Sequence, residues 1–522
     1  MKPILWLLFL ASSLTGADSR PNILLLFADD LGRYASAYAD ENQPSANDII
    51  STPVFDRIAQ EGALFENAFV SAPSCSPSRA SLNTGRHFFR NASHSQLHLP
   101  WQKRTPDPFD SIHGLAPTLR DAGYHIGWSL KTHMRISLIG GRECLYDQAG
   151  KSINNYSQVL SKANDKEAAK CKVLDEVRGN FRKFTSTRKS GQPFFYSFNP
   201  TNTHRQWIRG SGKKLWGLDP DALKGKLPPF LPDNALIRED FADYLGEAMA
   251  FDAACGALIE ELEKMGELGN TLICISGDHG APGFPMGKCN VNDFGSSVLL
   301  AMRWPKHIAA KREVEVPVSL IDLAPTFLAA AGLESKDDPD GQNLLPALAE
   351  NGMDEQLRGW ALIGREVHVA EAREGRLPYP TRALRTPDFL YIINFKPDRW
   401  PMGDPLAVSA DSAPSFAALS NNTRLAFADI DASPTKAWII ENRNQEDMAP
   451  FIGFAWGKRP EEELYDLRKD RFQIHNVAKD PSYAERSSVL RKQLLAELTS
   501  GKDPRLENDA FDRPPYCVPA KE

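Results

Sequence analysis

The feature that most constrains the fold is an alternation of short apolar runs with amphipathic stretches between about residues 20 and 330. The apolar runs are typical of buried strands, and the stretches between them are typical of helices. Together they predict an α/β fold with a large, mostly parallel sheet between helices. The predicted strands cover residues 23–27, 126–130, 194–198, 271–275 and 298–302, and the predicted helices cover residues 53–61, 116–122 and 240–264.

A smaller unit is predicted towards the C-terminus. The 522 residues can form two to four domains, or one large domain with an appendage. A turn-rich stretch at 335–341 precedes strand-like runs such as 389–395, and a charged helix is predicted at about 481–498. We therefore expect a large domain over 20–380 and a smaller α+β subdomain over 381–522.

The N-terminus has the pattern of a signal peptide. Lys2 is followed by an apolar stretch at 4–14, which is too short to span a membrane, and then by small residues at 15–17. Residues 1–19 are thus predicted to direct export into a periplasm, the medium or a lysosome-like lumen. We expect no membrane partner. With 61 basic and 67 acidic residues, the chain shows no bulk charge that favours nucleic-acid binding.

Polar and charged side chains follow four of the predicted strands. Because ligands bind beyond the carboxyl ends of strands in open α/β sheets, these side chains are expected to form one site. Three carboxylates packed together would repel one another unless a divalent cation neutralised them, and oxygen ligands suit Ca²⁺. The groups that follow the strands are Asp29 and Asp30, then Lys131 and His133, then His204, and finally Asp278, His279 and Lys288.

The stretch 71–85 is the most specific part of the sequence. Pro77 fits the first turn of a helix and Gly85 fits its end, which places Cys75 at the helix N-terminus. There the helix dipole is expected to lower the pKa of the thiol. Arg79, one turn further on, adds a fixed positive charge on the same side.

The segment from Cys75 to Arg79 resembles the Cys-x-Pro-x-Arg signature of type I sulfatases, in which the cysteine is oxidised to formylglycine. The resemblance extends through most of the chain, over 21–32, 75–85, 131–133, 276–280 and 463–467. It implies the alkaline-phosphatase-like fold, with a catalytic domain and a C-terminal subdomain that has a small antiparallel sheet and a helix. The nearer resemblance is to sulfatases of sulfated glycans, heparan N-sulfatases among them.

The resemblance also implies a role for each site residue. Asp29, Asp30, Asp278 and His279 would bind one Ca²⁺ together with modified Cys75. Arg79 would hold the formylglycine hydrate, Lys131 and Lys288 would bind sulfate oxygens, His133 would assist the hydrate, and His204 would protonate the leaving group. Two positions depart from the family pattern, since Leu130 stands where Gly is frequent and His279 where Asn is frequent. A formylglycine-generating enzyme or an anaerobic maturase is implied as a partner, with a sulfated carbohydrate as substrate.

Two alternatives to a calcium-dependent sulfatase remain open: a phosphonate monoester or phosphodiester hydrolase of the same superfamily, and an inactive, secreted glycan-binding protein. The sequence also leaves open which sugar is attacked and whether the bond is an ester or a sulfamate. Trp101 and Trp207 are candidates for sugar stacking, and His94 and His98 for the pocket lining. The six other cysteines permit disulfides, but their pairing cannot be deduced.

Overall fold

The computed structural model describes residues 20–96, 107–507, 509–512 and 516. Its strands form a seven-stranded sheet in the order β4-β5-β1-β6-β8-β2-β9, a three-stranded sheet β10-β3-β7 and a four-stranded sheet β11-β12-β13-β14. In chain order the strands are β1 (Asn22–Ala28), β2 (Ala63–Phe65), β3 (Ala68–Phe69), β4 (His125–Leu130), β5 (Phe194–Asn199), β6 (Thr271–Gly277), β7 (Ser297–Val298), β8 (Leu300–Arg303), β9 (Arg312–Val314), β10 (Val318–Ser319), β11 (Ala361–Arg365), β12 (Thr381–Arg385), β13 (Phe389–Asn394) and β14 (Glu462–Asp466).

Helices cover both faces of the seven-stranded sheet. Alternate residues of β1 show this, because Leu24 and Leu26 pack with α1, α4, α5 and α7, whereas Ile23 and Leu25 pack with α2, α3 and α9. The helices are α1 (Pro53–Gln60), α2 (Cys75–Thr84), α3 (Leu115–Asp121), α4 (Tyr156–Lys162), α5 (Lys166–Ser186), α6 (Ser211–Trp216), α7 (Ala235–Lys264), α8 (Asp293–Ser296), α9 (Leu323–Ala330), α10 (Leu345–Leu348), α11 (Phe416–Asn421), α12 (Pro434–Glu441), α13 (Ala449–Trp456) and α14 (Ala484–Ser500).

The predicted α/β fold is confirmed, with one local difference in the strands. The run 298–302 does not form a single strand: Val298 ends β7 in the three-stranded sheet, and β8 begins at Leu300 in the large sheet. β8 runs antiparallel to both β6 and β2, so the sheet is mixed. Helix α1 begins at Pro53 as predicted, but its first free N–H groups are bonded by the Asp252 carboxylate of α7 rather than by Thr52.

The small antiparallel sheet packs between α14 and the main body. One face of the sheet contacts Leu490, Leu494 and Leu498 of α14, and the other contacts Phe69 of β3. Its first strand, β11, precedes residue 381, so the sheet draws on residues from both sides of the expected domain boundary. The boundary at 380/381 stays a prediction.

Helices α11, α12 and α13 lie between β13 and β14, and we call residues 395–461 the insertion. The insertion has its own apolar core, which includes Met402, Phe427 and Trp456. Cys289 of the main body belongs to the same core, so the insertion packs directly against the loop that follows β6. Within the described part of the chain, no helix has the length and apolarity that a membrane span requires.

Candidate active site

The strand order brings the four predicted strand ends together. β4, β5, β1 and β6 are adjacent and parallel, so their carboxyl ends lie at one edge of the sheet. Asp29 follows β1 directly, Lys131 follows β4, and Asp278 follows β6. The predicted site residues therefore come from the loops that follow neighbouring strands or from α2, which begins beside them.

Four side chains at this edge could hold a metal ion. Each of them is buried, and their ligand atoms lie within 4.8 Å of one another. Cys75 Sγ is 3.3 Å from His279 Nε2 and 3.7 Å from Asp30 Oδ1, and Asp29 completes the group. Two carboxylates, an imidazole and the side chain of residue 75 form a donor set that fits a divalent cation.

Asp278, the fifth predicted ligand, lies beside this group. Its Oδ1 accepts a hydrogen bond from the Asp30 backbone N–H at 2.7 Å and lies 3.5 Å from His279 Nε2. Its Oδ2 accepts a hydrogen bond from Arg79. Burial raises the pKa of Asp278, against the opposing influence of His279 and Arg79.

The backbone is held in uncommon conformations at two of the strand ends. Asp30 has φ +57° and Leu130 has φ +70°, in the left-handed region that favours glycine. The Tyr244 hydroxyl donates to the Asp30 carbonyl at 3.0 Å and accepts from Gly32 N–H at 2.9 Å, which fixes the turn after β1. Leu130 thus has a backbone conformation that a glycine would adopt without strain but that is strained for a leucine.

Helix α2 begins at Cys75 and ends before Gly85, whose φ is +70°, as predicted. Ser74, the residue before the helix, shares a hydrogen bond with His368 Nδ1 at 2.8 Å and does not cap the helix with its side chain. The expectation of an acidic thiol is wrong. Burial, followed by the nearby Asp29 carboxylate, raises the pKa of Cys75 well above its ordinary value.

Arg79 joins the two outer carboxylates of the site. Its Nε donates to Asp278 Oδ2 at 2.8 Å, Nη1 to Asn199 Oδ1 at 3.0 Å, and Nη2 to Asp29 Oδ1 at 3.4 Å. The side chain is fully buried, one turn of α2 after Cys75. Its charge therefore acts in a medium where water screens it little.

Two lysines pair with the remaining carboxylate oxygens. Lys131 Nζ donates to both oxygens of Asp29 at 2.6 Å, and Lys288 Nζ donates to Asp30 Oδ2 at 2.9 Å. Burial alone would lower the pKa of Lys131, but Asp29 raises it above its ordinary value. Conversely, burial would raise the pKa of Asp29, but Lys131, followed by Arg79, lowers it well below its ordinary value. Both partners are charged.

His204 and His133 stand at the same edge. His204 Nδ1 lies 2.6 Å from the Arg205 carbonyl oxygen, so Nδ1 carries a proton. Its Nε2 faces the site, 3.8 Å from Asp30 Oδ2, and the side chain is 35% exposed. The carbonyl of His133 accepts a hydrogen bond from Ser76 Oγ of α2 at 2.7 Å, which ties the loop after β4 to the start of that helix.

The residues expected to stack on a sugar or to line the pocket lie in different places. Trp207 is buried and packs against Tyr244 and Arg205, as a core residue does. His94 is buried and stacks on Phe109. Trp101, His98 and Cys517 lie outside the described residues. Cys144, Cys171, Cys255, Cys274 and Cys289, the other five cysteines that the structure describes, are free thiols.

Comparison with known proteins decides the family. The family model described as Sulfatase matches residues 21–333, which is more than half of the chain. The chain belongs to the sulfatase family. It is accordingly a sulfuric ester hydrolase, as the sequence predicts.

This sulfatase is similar to curated proteins over nearly its whole length. It is 30% identical to human N-sulphoglucosamine sulphohydrolase, over 93% of this chain and 91% of that protein. It is 26% identical to an ulvan-active sulfatase of Formosa agariphila, over 93% of this chain and 76% of that protein. A solved structure of BT4656 in complex with D-glucosamine-2-N,6-O-disulfate has a TM-score of 0.61 at 19% identity and covers 95% of this chain and 100% of that one, which shows a shared fold.

The sulfatase site contains two polar residues that sequence reasoning missed. Asp431 of the insertion lies 3.3 Å from Lys288 Nζ, and His368 follows β11 and contacts Ser74. The sequence does mark Asp431 as unusual, because two carboxylates interrupt the otherwise apolar stretch 426–432. A cavity of about 720 Å³ between loops 33–47 and 467–473 contains none of the predicted site residues.

Proposed function

We propose that this sulfatase hydrolyses sulfate groups of sulfated glycans, with Cys75 converted to formylglycine and one Ca²⁺ as cofactor. One observation carries the proposal: Cys75 Sγ lies within 4 Å of both His279 and Asp30, at an edge where three basic side chains converge. The match of residues 75–79 to the Cys-x-Pro-x-Arg signature supports formylglycine at this position.

The chain's basic groups would bind and orient the sulfate. Lys131 and Lys288 would bind its oxygens, and Arg79 would hold the hydrated aldehyde of residue 75. One hydroxyl of that hydrate would attack sulfur with loss of its proton, as the S–O or S–N bond of the substrate breaks and residue 75 becomes sulfated. The second hydroxyl would then lose its proton, so that the aldehyde reforms and sulfate leaves. His204 would donate a proton from Nε2 to the leaving oxygen or nitrogen, and His133 would accept the proton released when sulfate leaves. Neutralising the charge of the transferred group is the main electrostatic requirement of this reaction.

Asp29, Asp30, Asp278 and His279 would hold Ca²⁺ together with residue 75. When bound, the ion would supply positive charge to the sulfate oxygens. Oxygen donors from three carboxylates favour Ca²⁺ over softer metals, and an oxygen in place of sulfur at residue 75 would strengthen that preference.

The names of two relatives support a carbohydrate substrate. The human relative is named as a sulphohydrolase of N-sulphoglucosamine and the Formosa agariphila relative as an ulvan-active sulfatase. We therefore propose a sulfated saccharide, with glucosamine N-sulfate as the first to test. Residues 1–19 would direct export, and a formylglycine-generating or anaerobic maturase would act on Cys75.

The test is sulfate release from a panel of N- and O-sulfated saccharides, together with the peptide mass of residue 75. The expected result is sulfate release by the wild-type protein and a mass for residue 75 that shows the aldehyde or its hydrate. Cys75→Ala should lower the rate by at least about 10⁴-fold. Cys171→Ala, which changes an exposed cysteine of α5, should retain wild-type activity.

Three results would count against this proposal. An unmodified thiol in a fully active enzyme would refute the formylglycine nucleophile. Faster hydrolysis of an aryl phosphate diester than of the matched aryl sulfate would favour a phosphodiester hydrolase. Binding of sulfated sugars without turnover, unchanged by Cys75→Ala, would indicate a binding protein.

A further inference from the structure

Asp431 is delivered to the site by the insertion. It lies in the loop between α11 and α12, more than 140 residues after Lys288 in the sequence. The core of the insertion includes Cys289, the neighbour of Lys288, so packing of the insertion fixes Asp431 beside that lysine. Asp431 therefore belongs to the wall of the site rather than to the strand ends that form its floor.

The loop that carries Asp431 is held by a buried lysine. Lys436 Nζ donates hydrogen bonds to the carbonyl oxygens of Ala426 at 2.6 Å, Ile430 at 2.8 Å and Phe427 at 3.2 Å. The side chain of Lys436 is fully buried. Asp429, two residues before Asp431, is equally anchored, because it accepts hydrogen bonds from Val369 N–H at 2.8 Å and from Arg373 at 2.6 Å.

Asp431 itself does not help to hold this loop in place. Its Oδ2 is buried and forms an ion pair with Lys288 Nζ at 3.3 Å, but no residue in the described part of the chain donates a hydrogen bond of good geometry to it. Burial would raise the pKa of Asp431, but Lys288, followed by His204, lowers it to about 2, so the group is an anion. Exposure rises along the series from Asp30 (0%) through Lys288 (3%) to Asp431 (15%), which places Asp431 on the outward side.

A carboxylate at this position has a consequence for the substrate. Lys288 pairs with Asp30 on the inner side and with Asp431 on the outer side, so Asp431 is the carboxylate of this pair that lies towards the solvent. An anion next to a bound sulfate repels further negative charge, but it is a strong acceptor for a neutral hydroxyl.

Given the proposed function, on which this inference rests, we propose that Asp431 accepts a hydrogen bond from a free hydroxyl on the sugar carbon next to the one that carries the scissile sulfate. By the same charge it disfavours substrates that carry a second sulfate on that neighbouring carbon. Asp431 is thus a specificity-determining residue contributed by the insertion.

The test compares kcat and KM for three substrates in wild type and Asp431→Asn. Two are saccharides with the same scissile sulfate, one with a free neighbouring hydroxyl and one with that hydroxyl sulfated. The third is 4-nitrophenyl sulfate, which has no such hydroxyl. Asp411→Asn removes the same charge from an exposed position of the insertion and is the matched control.

We expect wild type to prefer the saccharide with the free hydroxyl by about tenfold or more. Asp431→Asn should lower kcat/KM for that saccharide by about ten- to a hundredfold, mainly through KM, as loss of a hydrogen bond to a charged group does. The loss on 4-nitrophenyl sulfate should be much smaller, and the preference between the two saccharides should shrink. Asp431→Ser should reproduce the shift if the Asn variant folds poorly, and Asp411→Asn should behave as wild type.

Equal losses on the saccharide and on 4-nitrophenyl sulfate would overturn the inference, because Asp431 would then act only by positioning Lys288. An unchanged preference between the two saccharides would overturn it as well. If wild type releases sulfate from none of the three substrates, the proposed function itself fails, and that result is distinct from both of the others.

Discussion

Replacing Glu366 with Gln tests the buried charges that fasten the C-terminal segment to the small sheet. Glu366 Oε1 accepts hydrogen bonds from Arg382 Nη2 at 2.8 Å and from Arg505 Nε at 3.1 Å. The three side chains are at most 1% exposed. Arg382 also pairs with Asp503, so the network joins β12 to the segment after α14.

The expected loss of unfolding free energy depends on the charges that Glu366→Gln leaves without a partner. Gln keeps the shape and one acceptor oxygen but removes the charge that two buried guanidinium groups share. Among the described residues, Arg505 would retain Asp509 and Asp512 as carboxylate partners, and these are 46% and 19% exposed. Removing one partner of a buried pair typically costs about 3–5 kcal/mol, because the remaining charge is left uncompensated. We expect the free energy of unfolding to fall by about that amount.

Urea unfolding at fixed calcium concentration measures this free energy. The control is Glu263→Gln, which removes the same charge from an ion pair with Arg57 in which both side chains are 42% exposed. Exposed pairs contribute about 0–1 kcal/mol, so the control should lose no more than that. If Glu366→Gln loses no more than Glu263→Gln, the reasoning that burial sets the value of these pairs is refuted.

Two further predictions concern pH and the arginine of the site. Burial raises the pKa of Asp243, Glu247 and Asp252 on α7 to about 7. The folded state therefore binds their protons more tightly than the unfolded chain, so their contribution to stability is greatest below about pH 4 and is lost as pH rises through 7. Thermal unfolding between pH 5 and 8 should show this decline, and Asp252→Asn should make it shallower. Arg79→Lys keeps the charge but cannot reproduce three directed hydrogen bonds, so urea unfolding should show a loss of about 1.5–3 kcal/mol, and a loss below about 0.5 kcal/mol would contradict it.

Much of the floor of the site could be predicted from sequence, because each parallel strand is visible as one short, continuous apolar run. The polar residues after each run, such as Asp29 and Lys131, are placed by the sheet itself. Asp431 could not be placed in this way, since it reaches the site through the packing of an insertion whose helices carry no motif. The raised pKa of Cys75 was missed for a related reason: helix position is visible in a sequence, but complete burial beside a carboxylate is not.

The charge balance of the floor leads to a prediction about calcium and sulfate together. Three buried carboxylates face three buried or nearly buried basic groups, so the formal charge of the floor is close to zero. Those groups are Asp29, Asp30 and Asp278 on one side and Arg79, Lys131 and Lys288 on the other.

A neutral floor attracts an anion only weakly, and a divalent cation held by the carboxylates would make it positive. Affinities for the cation and for sulfate should therefore be coupled, each increasing the other by the same factor. We expect inorganic sulfate to raise the melting temperature of the calcium-loaded protein and to have a much smaller effect after chelation. With Asp30→Asn, calcium should lose most of its stabilising effect. An equal shift by sulfate with and without calcium would mean that the basic side chains bind the anion unaided and that the cation acts elsewhere.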